Sequence, residues 1–428
     1  MKVLVVGSGG REHVLAWKLS KSRKVDKVFC APGNGGIDLV AKCVNIKADN
    51  INALADFAVR NKIGLTVVGP EDPLTKGIVD VFQKKRLKIF GPDIKASQLE
   101  GSKVFTKEFM RKYHIPTAAF KIFSTSAEAI GFCKSVEYPV VIKADGLAAG
   151  KGVFLVHDLK EAVSTIENIM IRKIFGDSGN RIVIESFLKG SEVSVMTFTD
   201  GKTIVPLLSS QDHKQAFDGD RGPNTGGMGA YCPTTIIDSA MNEHIMDYIL
   251  KPTINGLLQE GITYKGILYA GLMITESGPK VLEYNCRFGD PETQVVLPLL
   301  KTDLLELMLA VVNQKLAGYQ KLDWKNESAA CVVMASKGYP GKYQTGLKIA
   351  GLQNVNSNSL QVFHAGTELK GNQIVTSGGR VLGVVGMDKT LQLALNKAYQ
   401  AVNKIKFEGA MYRRDIGFRA LKPKTVVR

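Results

Sequence analysis

The chain has 428 residues, 45% hydrophobic and 22% charged, which is ordinary for a soluble protein of two to four domains. No apolar run approaches the roughly 18 residues that span a bilayer, and the scattered cysteines lack a C-x-x-C pair, so we predict a cytoplasmic protein without zinc or disulfides. The formal net charge of +16 is spread along the chain, which favours small anionic ligands and disfavours nucleic-acid or membrane partners.

The first hundred residues alternate predicted strands with predicted helices. This alternation indicates a parallel sheet with right-handed crossovers, whose ligands bind at the carboxyl ends of the strands. Those ends carry the segments GSGGREH, APGNGG and VGPEDPL. The predicted strands are 2–6, 27–31, 65–68 and 88–90, and the predicted helices are 12–20, 51–61 and 73–85.

The segment GSGGREH resembles the start of a dinucleotide-binding fingerprint but departs from it. Glu12 stands where the third glycine belongs, and the second strand ends in Ala-Pro-Gly without the acid that binds an NAD ribose. This disfavours a nicotinamide-dependent dehydrogenase. We interpret Gly7, Gly9 and Gly10 as a tight turn whose N–H groups face a phosphate at a helix start. A turn without a ligand is the alternative.

The middle of the chain contains a glycine-rich loop between predicted strands. A helix at 103–113 and a βαβ-like piece at 120–143 precede VIKADGLAAGKGV (141–153), and a helix at 159–170 and a strand at 181–185 follow it. The loop misses the P-loop pattern, because Asp145 replaces its first glycine and Gly152 its serine or threonine. We expect a flexible loop that folds over phosphates, with Lys143 as a point charge. The alternative is a hairpin turn with solvated lysines.

The next segments combine a hairpin, a polar loop and a long helix. A hairpin at 192–199 and 202–208 turns at Asp200-Gly201, and a loop at 209–231 contains SSQDHK and GPNTGGMGAY. His213 in this loop is more typical of a surface histidine than of a catalyst. A helix at 239–260 and strands at 267–275 and 280–284 follow, and a tail of strands ends in a helix at 389–404.

The segment EYNCRFGDPET (283–293) offers a metal site. Glu283 and Asn285 are two residues apart on a predicted strand, so their oxygen atoms lie on one face, as suits Mg²⁺ holding nucleotide phosphates. Arg287 has a planar guanidinium group that can donate paired hydrogen bonds to a carboxylate or a phosphate. Cys286 is expected to pack in the protein interior and not to act as a nucleophile. A polar strand end that runs into a turn is the alternative.

Six motifs in order resemble the phosphoribosylamine–glycine ligase (glycinamide ribonucleotide synthetase) family of ATP-grasp enzymes. They are GSGGREH, VGPEDPL, VIKADGLAAGKGV, SSQDHK, NTGGMGAY and EYNCRFGDPET, and the resemblance extends to RRDIGFRA at 413–420. It implies an α/β fold with an α+β ATP-grasp core. The implied parts are a parallel-sheet domain at 1–102, an ATP-grasp domain at 103–328 with a lid at about 123–190, and a small β-rich domain at 329–428.

The resemblance also implies the site residues. The residues implied for ATP are Lys103, Lys143, Gly150, Lys151, Gly152, Glu185, Phe187, Leu188 and Glu192. Those implied for the other substrates are Gly9, Gly10, Asp212, Thr225, Gly226, Gly227, Met228, Gly229, Arg287, Gly289 and Asp290. Arg287, Lys143 and Asp212 are the implied catalytic residues, and Glu283 and Asn285 would hold Mg²⁺ or Mn²⁺. Many ATP-grasp enzymes have another acid about a dozen residues earlier, where this chain has Tyr-Ala-Gly-Leu-Met.

The implied reaction joins glycine to 5-phosphoribosylamine through a glycyl phosphate, with ATP as co-substrate, in de novo purine synthesis. We expect a monomer that binds these small molecules and no nucleic acid or membrane. The first alternative is another ATP-grasp carboxylate–amine ligase, for example one using formate or bicarbonate. A nicotinamide-dependent dehydrogenase and a basic RNA-binding protein are the alternatives from other classes.

Overall fold

The computed structural model describes residues 1–147, 152–355 and 357–421. The chain begins with a five-stranded parallel sheet of order β3-β2-β1-β4-β5, which confirms the predicted parallel sheet. The predicted helix 73–85 is wrong as a single element, because Gly77 at φ 82° separates two helices. The elements are β1 (Lys2–Gly7), α1 (Gly10–Leu19), β2 (Lys27–Pro32), β3 (Lys42–Cys43), α2 (Ile51–Asn61), β4 (Leu65–Val68), α3 (Glu71–Thr75), α4 (Ile78–Lys84) and β5 (Ile89–Phe90).

A four-stranded antiparallel sheet of order β6-β9-β7-β8 forms the segment predicted as the lid. Because β9 lies between β6 and β7, the predicted βαβ-like piece is split by a strand from later in the chain. Alanine, valine and isoleucine side chains of this sheet pack on its two helices as a separate small core. The elements are α5 (Gln98–Gly101), α6 (Lys103–Lys112), β6 (Phe120–Phe123), α7 (Ser126–Cys133), β7 (Val140–Ala144), β8 (Val153–Val156), α8 (Leu159–Ile166) and β9 (Ile182–Ser186).

The segment predicted as one long loop, 209–231, contains four short strands, so that prediction is wrong. β13 pairs with β14 and β12 with β15 inside the segment, and β15 also pairs with the distant β18 (Ser328–Ser336), which sequence patterns do not show. The hairpin predicted around Asp200-Gly201 is confirmed. The strands are β10 (Ser191–Thr199), β11 (Ile204–Pro206), β12 (Gln211–Asp212), β13 (Gln215–Phe217), β14 (Arg221–Asn224) and β15 (Gly229–Cys232).

A second antiparallel sheet of order β11-β10-β16-β17, here called the floor, contacts the sheet of the predicted lid through Leu282 of β17. The predicted helix 239–260 is present as two α-helices joined by a π-helical turn at Met246–Leu250. No helix among the described residues is long and apolar enough to cross a membrane. The elements are α9 (Ser239–Ile245), α10 (Lys251–Gln259), β16 (Gly266–Thr275), β17 (Gly278–Asn285), α11 (Thr293–Val296) and α12 (Leu304–Val312).

The last sheet joins the C-terminal residues to the segment 209–231. Its path is β12-β15-β18-β22-β19, with β23 also paired to β18, so strands from both sides of residue 328 share it. This sharing holds the polar segment 209–231 against the C-terminal region. The elements are β18 (Ser328–Ser336), β19 (Leu360–His364), β20 (Thr367–Lys370), β21 (Gln373–Thr376), β22 (Arg380–Asp388), α13 (Leu391–Val402), β23 (Ala410–Met411) and α14 (Phe418–Leu421).

Candidate active site

A buried group of three charged side chains joins the lid sheet to the floor. Lys143, near the end of β7, lies 2.9 Å from Oε1 of Glu185 and donates a 3.1 Å hydrogen bond to the carbonyl of Leu282. Lys107 of α6 lies 2.9 Å from Oε2 of the same carboxylate. The exposed fractions are 8% for the Lys143 side chain and 3% for the other two. The sequence analysis missed Lys107, although it lies one helical turn after Lys103.

The first turn of α6 holds the start of the glycine-rich loop. Oδ1 of Asp145 accepts hydrogen bonds from Oγ of Ser102 at 2.8 Å and from the N–H of Val104 at 3.2 Å. Nζ of Lys103 donates a 3.0 Å hydrogen bond to the carbonyl of Gly146. The aspartate that breaks the P-loop pattern therefore attaches the loop to a helix N-terminus, where a carboxylate is favoured.

The remaining residues predicted for ATP belong to this loop or follow β9 in the chain. Gly150 and Lys151 lie outside the described residues. The carbonyl of Gly152 accepts a 2.9 Å hydrogen bond from the end of β7, which closes the β7–β8 hairpin. Phe187, 38% exposed, and Leu188 follow β9 at the passage from the lid to the floor.

A second charged cluster surrounds Lys214, which the sequence analysis did not select. Its Nζ lies 3.2 Å from Oε2 of Glu192 and 4.0 Å from Oε1 of Glu283. Glu192 is the main reason that the pKa of Lys214 is raised well above its usual value. Burial of Asp212 raises its pKa to about 7, against the opposing effect of Lys214. The charged amine of Lys214 therefore lies among the carboxylates of Glu192, Glu283 and Asp212, all three of which are predicted site residues.

The two predicted metal ligands share one face of β17. Burial alone would raise the pKa of Glu283, but Lys214, Lys143 and Lys103 lower it, so the carboxylate is charged. Gly271 is its register partner on β16, so no side chain faces it there. Mg²⁺ takes few protein oxygens and keeps phosphate and water ligands, so these residues fit the ion. No group of three or more His, Cys, Asp or Glu suited to a metal occurs within the described ranges.

Arg287 is paired with two carboxylates of the N-terminal region. Its Nε lies 3.2 Å from Glu71 and its Nη2 lies 3.0 Å from Glu100. Nη2 also donates a 3.1 Å hydrogen bond to Oδ1 of Asn285, which fixes the predicted metal ligand. Burial would raise the pKa of Glu71, but Arg287 and Arg11 lower it to about 2. The guanidinium group is therefore already held by protein groups. Glu71 lies in the motif VGPEDPL, so this motif could have indicated a partner for Arg287 in the sequence.

The glycine turn after β1 is closed by a carboxylate of its own helix. The N–H of Gly9 donates a 2.5 Å hydrogen bond to Oε2 of Glu12. A Cβ added at Gly69, after β4, would lie 2.0 Å from Oε1 of Glu12, and one at Gly7 would lie 2.6 Å from its Cγ. Glu12 therefore fills the crevice where a dinucleotide pyrophosphate binds in related sheets. This explains structurally why its position disfavours a dehydrogenase.

Asp290 connects α1 to the C-terminal region. Its Oδ2 accepts a 3.2 Å hydrogen bond from the N–H of Arg11, and its Oδ1 accepts one of 2.8 Å from Gln294. Oδ1 also lies 3.4 Å from Arg380 of β22. A Cβ at Gly10 would lie 2.7 Å from Nε2 of Gln294, so the helix start and the segment 283–294 are packed directly together.

The loop predicted to bind substrate is anchored to the C-terminal region by Arg380. Its Nη1 donates to the carbonyl of Gly226 and, at 2.8 Å, to that of Asp290. The N–H of Gly226 donates a 3.0 Å hydrogen bond to the hydroxyl of Tyr339. Thr225 and Gly227 complete the turn, whereas Met228 is buried and Gly229 starts β15.

A polar cavity of about 370 Å³ lies beside this loop. Its lining includes the predicted residues Gly9 and Asp290 and the hydroxyl, amide and guanidinium groups of Ser8, Asn34, Tyr339, Thr367, Ser377 and Arg380. The sequence analysis selected no residue after 293, because single polar residues in a β-rich tail carry no recognisable pattern. A cavity of about 460 Å³ at the outer edge of the first sheet is remote from these groups.

Two buried polar side chains, His213 and Glu292, were not expected. His213 is fully buried, so the expected surface position is wrong; its Nε2 accepts a 3.2 Å hydrogen bond from the N–H of Gly417. Glu292 is 3% exposed, and its Oε1 accepts hydrogen bonds from Tyr269 at 2.6 Å and Ser194 at 3.1 Å. Gly289 is required there, because its Cβ would lie 2.5 Å from Oε2 of Glu292.

Comparison with known proteins assigns the family. The chain matches the phosphoribosylglycinamide synthetase N domain at 1–100, the ATP-grasp (A) domain at 101–293 and the C domain at 329–419. It is 52% identical to a phosphoribosylamine–glycine ligase of Caldanaerobacter subterraneus over 97% of this chain and 99% of that protein. It is 50% identical to the human trifunctional purine biosynthetic protein adenosine-3, over 98% of this chain and 42% of that protein.

A solved structure agrees with the sequence comparisons. The phosphoribosylamine–glycine ligase of Thermotoga maritima superimposes with a TM-score of 0.85 at 34% identity, over 97% of this chain and 100% of that one. The three consecutive domain matches, the identities over nearly the whole chain and this superposition agree with the resemblance seen in the six motifs. The chain therefore belongs to the phosphoribosylglycinamide synthetase family of ATP-grasp ligases.

Proposed function

We propose that this chain joins glycine to 5-phosphoribosylamine, with ATP as co-substrate, to give glycinamide ribonucleotide, ADP and phosphate. The observation that carries the proposal is the position of residues 282–294. This segment contacts the lid through Leu282, the N-terminal region through Arg287 and Asp290, and the C-terminal region through Asp290. A reaction of three substrates requires such a meeting point, because the reacting groups must be held together.

The nucleotide side supplies cations for a polyphosphate. Lys103 contacts the carbonyl of Gly146, Lys143 lies near the end of β7, and Glu185 of the segment 185–188 is paired with Lys143, which supports an ATP site here. Glu283 and Asn285 would hold Mg²⁺ or Mn²⁺, which neutralises phosphate charge when it is bound. The lid would exclude water from the acyl phosphate.

The chemistry proceeds in two displacements. The glycine carboxylate attacks the γ-phosphorus of ATP, and ADP leaves with the electron pair of the broken P–O bond. The amine of phosphoribosylamine then attacks the glycyl carbonyl carbon and expels phosphate. Asp212, with a pKa raised to about 7 by burial, would accept the proton that the amine loses. The polar cavity with Gly9 and Asp290 would hold the sugar phosphate.

The remaining assignments are part of the same proposal. Domain boundaries near 102 and 328, a lid at about 123–190, a monomeric state and the absence of a nucleic-acid partner stay predictions. The loop Thr225–Gly229 and Arg287 would surround glycine and phosphoribosylamine, with Arg287 acting from its fixed position between Glu71 and Glu100.

Substrate dependence of ADP release tests the function. With Mg²⁺ and ATP, we expect substantial ADP formation only when glycine and phosphoribosylamine generated in situ are both present, and glycinamide ribonucleotide should accumulate at the same rate. Formate and bicarbonate in place of glycine are the controls. Equal rates with either acid would favour another carboxylate–amine ligase and would contradict the assignment.

A further inference from the structure

The buried lysines between the lid and the floor share a carboxylate. Lys107, Lys143 and Glu185 are all less than 9% exposed, and two lysines share this one carboxylate; Glu283, the further carboxylate that acts on Lys143, is a predicted metal ligand. An unpaired buried charge is unfavourable unless a further partner arrives. Lys103, whose Nζ contacts the carbonyl of Gly146, adds a second cation on the same side of α6. The group is therefore suited to an anion that binds beside it.

The two lysines hold Glu185 in different ways. Lys107 is fixed by a 2.7 Å hydrogen bond to Oγ1 of Thr117, which itself donates a 2.6 Å bond to the carbonyl of Val281. Lys107 is thereby linked to the floor through a side chain, whereas Lys143 has the carbonyl of Leu282, at 3.1 Å, as its second partner. Oε1 of Glu185, although 2.9 Å from Lys143, receives no aligned hydrogen bond from any described residue. The Lys143 contact is therefore the one more easily given up.

We propose that Lys107 is a positioning residue for nucleotide binding: it neutralises Glu185 from the floor side, so that Lys143 can leave that carboxylate for the nucleotide phosphates. The inference rests on the proposed function, because it requires a nucleotide at the lid. Without Lys107, Glu185 would retain Lys143 as its sole buried counter-ion, and the phosphates would lose a cation. The adenosine part would be unaffected, because β9 is held by backbone pairing to β6 and β7.

The test compares ADP with adenosine on the full chain. Lys107→Met keeps most of the side-chain length and removes the charge. We expect the Kd of Mg·ADP, measured by calorimetry, to rise by roughly tenfold or more, as for the loss of a charge-assisted hydrogen bond. The Kd of adenosine, measured by competition with ADP, should change by less than about twofold. Lys112→Met, an exposed lysine of the same helix, is the matched control and should change neither value.

Two further variants separate positioning from a merely structural role. Lys107→Arg keeps the charge and should bind ADP nearly as the parent does. The double variant Lys107→Met with Glu185→Gln removes both the cation and the carboxylate that would retain Lys143, so ADP affinity should recover relative to Lys107→Met. If Lys107→Met fails to fold, the double variant is compared with the unaltered chain: a Kd of Mg·ADP within about threefold supports the proposal, and a rise of roughly tenfold or more overturns it.

The other possible results contradict either the role of Lys107 or the proposed function. Equal weakening of ADP and adenosine, no weakening of ADP, or an additive loss in the double variant would overturn the role of Lys107. Failure of the unaltered chain to bind Mg·ADP would instead overturn the proposed function, so the two failures are distinguishable.

Discussion

The nucleotide side and the substrate side of this site use charge differently. Around the lid, Lys107 and Lys143 share one buried carboxylate, Glu185, and Lys143 and Lys103 act together on Glu283, so these lysines share carboxylates instead of each having its own. Beside the polar cavity, Arg287 is paired with two glutamates and Arg380 with Asp290. The nucleotide side is suited to bind an anion, whereas the charged groups of the substrate side are already paired with each other without a ligand. A polyphosphate supplies enough charge to complete the first arrangement, whereas small substrates need a rigid second one.

The largest expected effect falls where the two sides meet. Glu283→Gln removes the charge of a predicted metal ligand while it keeps the shape, so turnover should fall by roughly two orders of magnitude or more. Initial rates of ADP formation over a range of Mg²⁺ concentrations measure the loss. Glu276→Gln, an exposed glutamate in the turn of the same hairpin, is the control. Near-normal activity of Glu283→Gln at low Mg²⁺ would rule out this metal site.

A change at Arg380 should affect only the substrate side. Arg380→Lys keeps the charge but cannot maintain the hydrogen bonds to the carbonyls of Gly226 and Asp290 together with the Asp290 ion pair. We expect kcat/KM for phosphoribosylamine to fall by roughly tenfold to a hundredfold, and the KM of ATP to stay unchanged. Arg414→Lys, an exposed arginine of the C-terminal region, is the control. An equal effect on ATP would remove the contrast between the two sides.

The smallest expected effect concerns stability and pH. Burial lowers the pKa of His13 and His213 to about 3 and that of His364 to about 4. Between those values and about 6.5 the unfolded chain binds more protons, so the free energy of unfolding falls as the pH falls through this window. At pH 5 the loss is at most about 2 kcal/mol for each histidine.

Urea unfolding at pH 7 and pH 5 measures this dependence. His13→Gln should reduce the difference between the two pH values, because one buried neutral histidine is removed, and the exposed His114→Gln should leave it unchanged. His13 lies in α1 and His364 ends β19, and the centres of the two rings are 5.6 Å apart, so hydrogen exchange at pH 5 should increase first around these two elements. Uniform loosening that includes the lid would contradict this expectation.

Local patterns predicted much of the first sheet and the shared strand face of the two predicted metal ligands. Alternating apolar runs place the strands of a parallel sheet, and the spacing of Glu283 and Asn285 places both on one face of β17. The chain is less informative at 209–231, where pairing of β15 with β18 converts a polar, glycine-rich stretch into sheet. That pairing joins residues about a hundred positions apart, beyond the range of any local pattern.

The sequence by itself determined the order of motifs, the family resemblance and the residue types that suit a nucleotide, a metal ion and small anions. Only the tertiary structure decided how they are joined: Lys107 next to Glu185, Glu71 and Glu100 on Arg287, and Arg380 across Asp290. The physical reason is that a charged side chain has no preferred partner until folding excludes water around it. Burial then makes each pairing obligatory, and the partner is whichever group the packing of distant elements brings within about 3 Å.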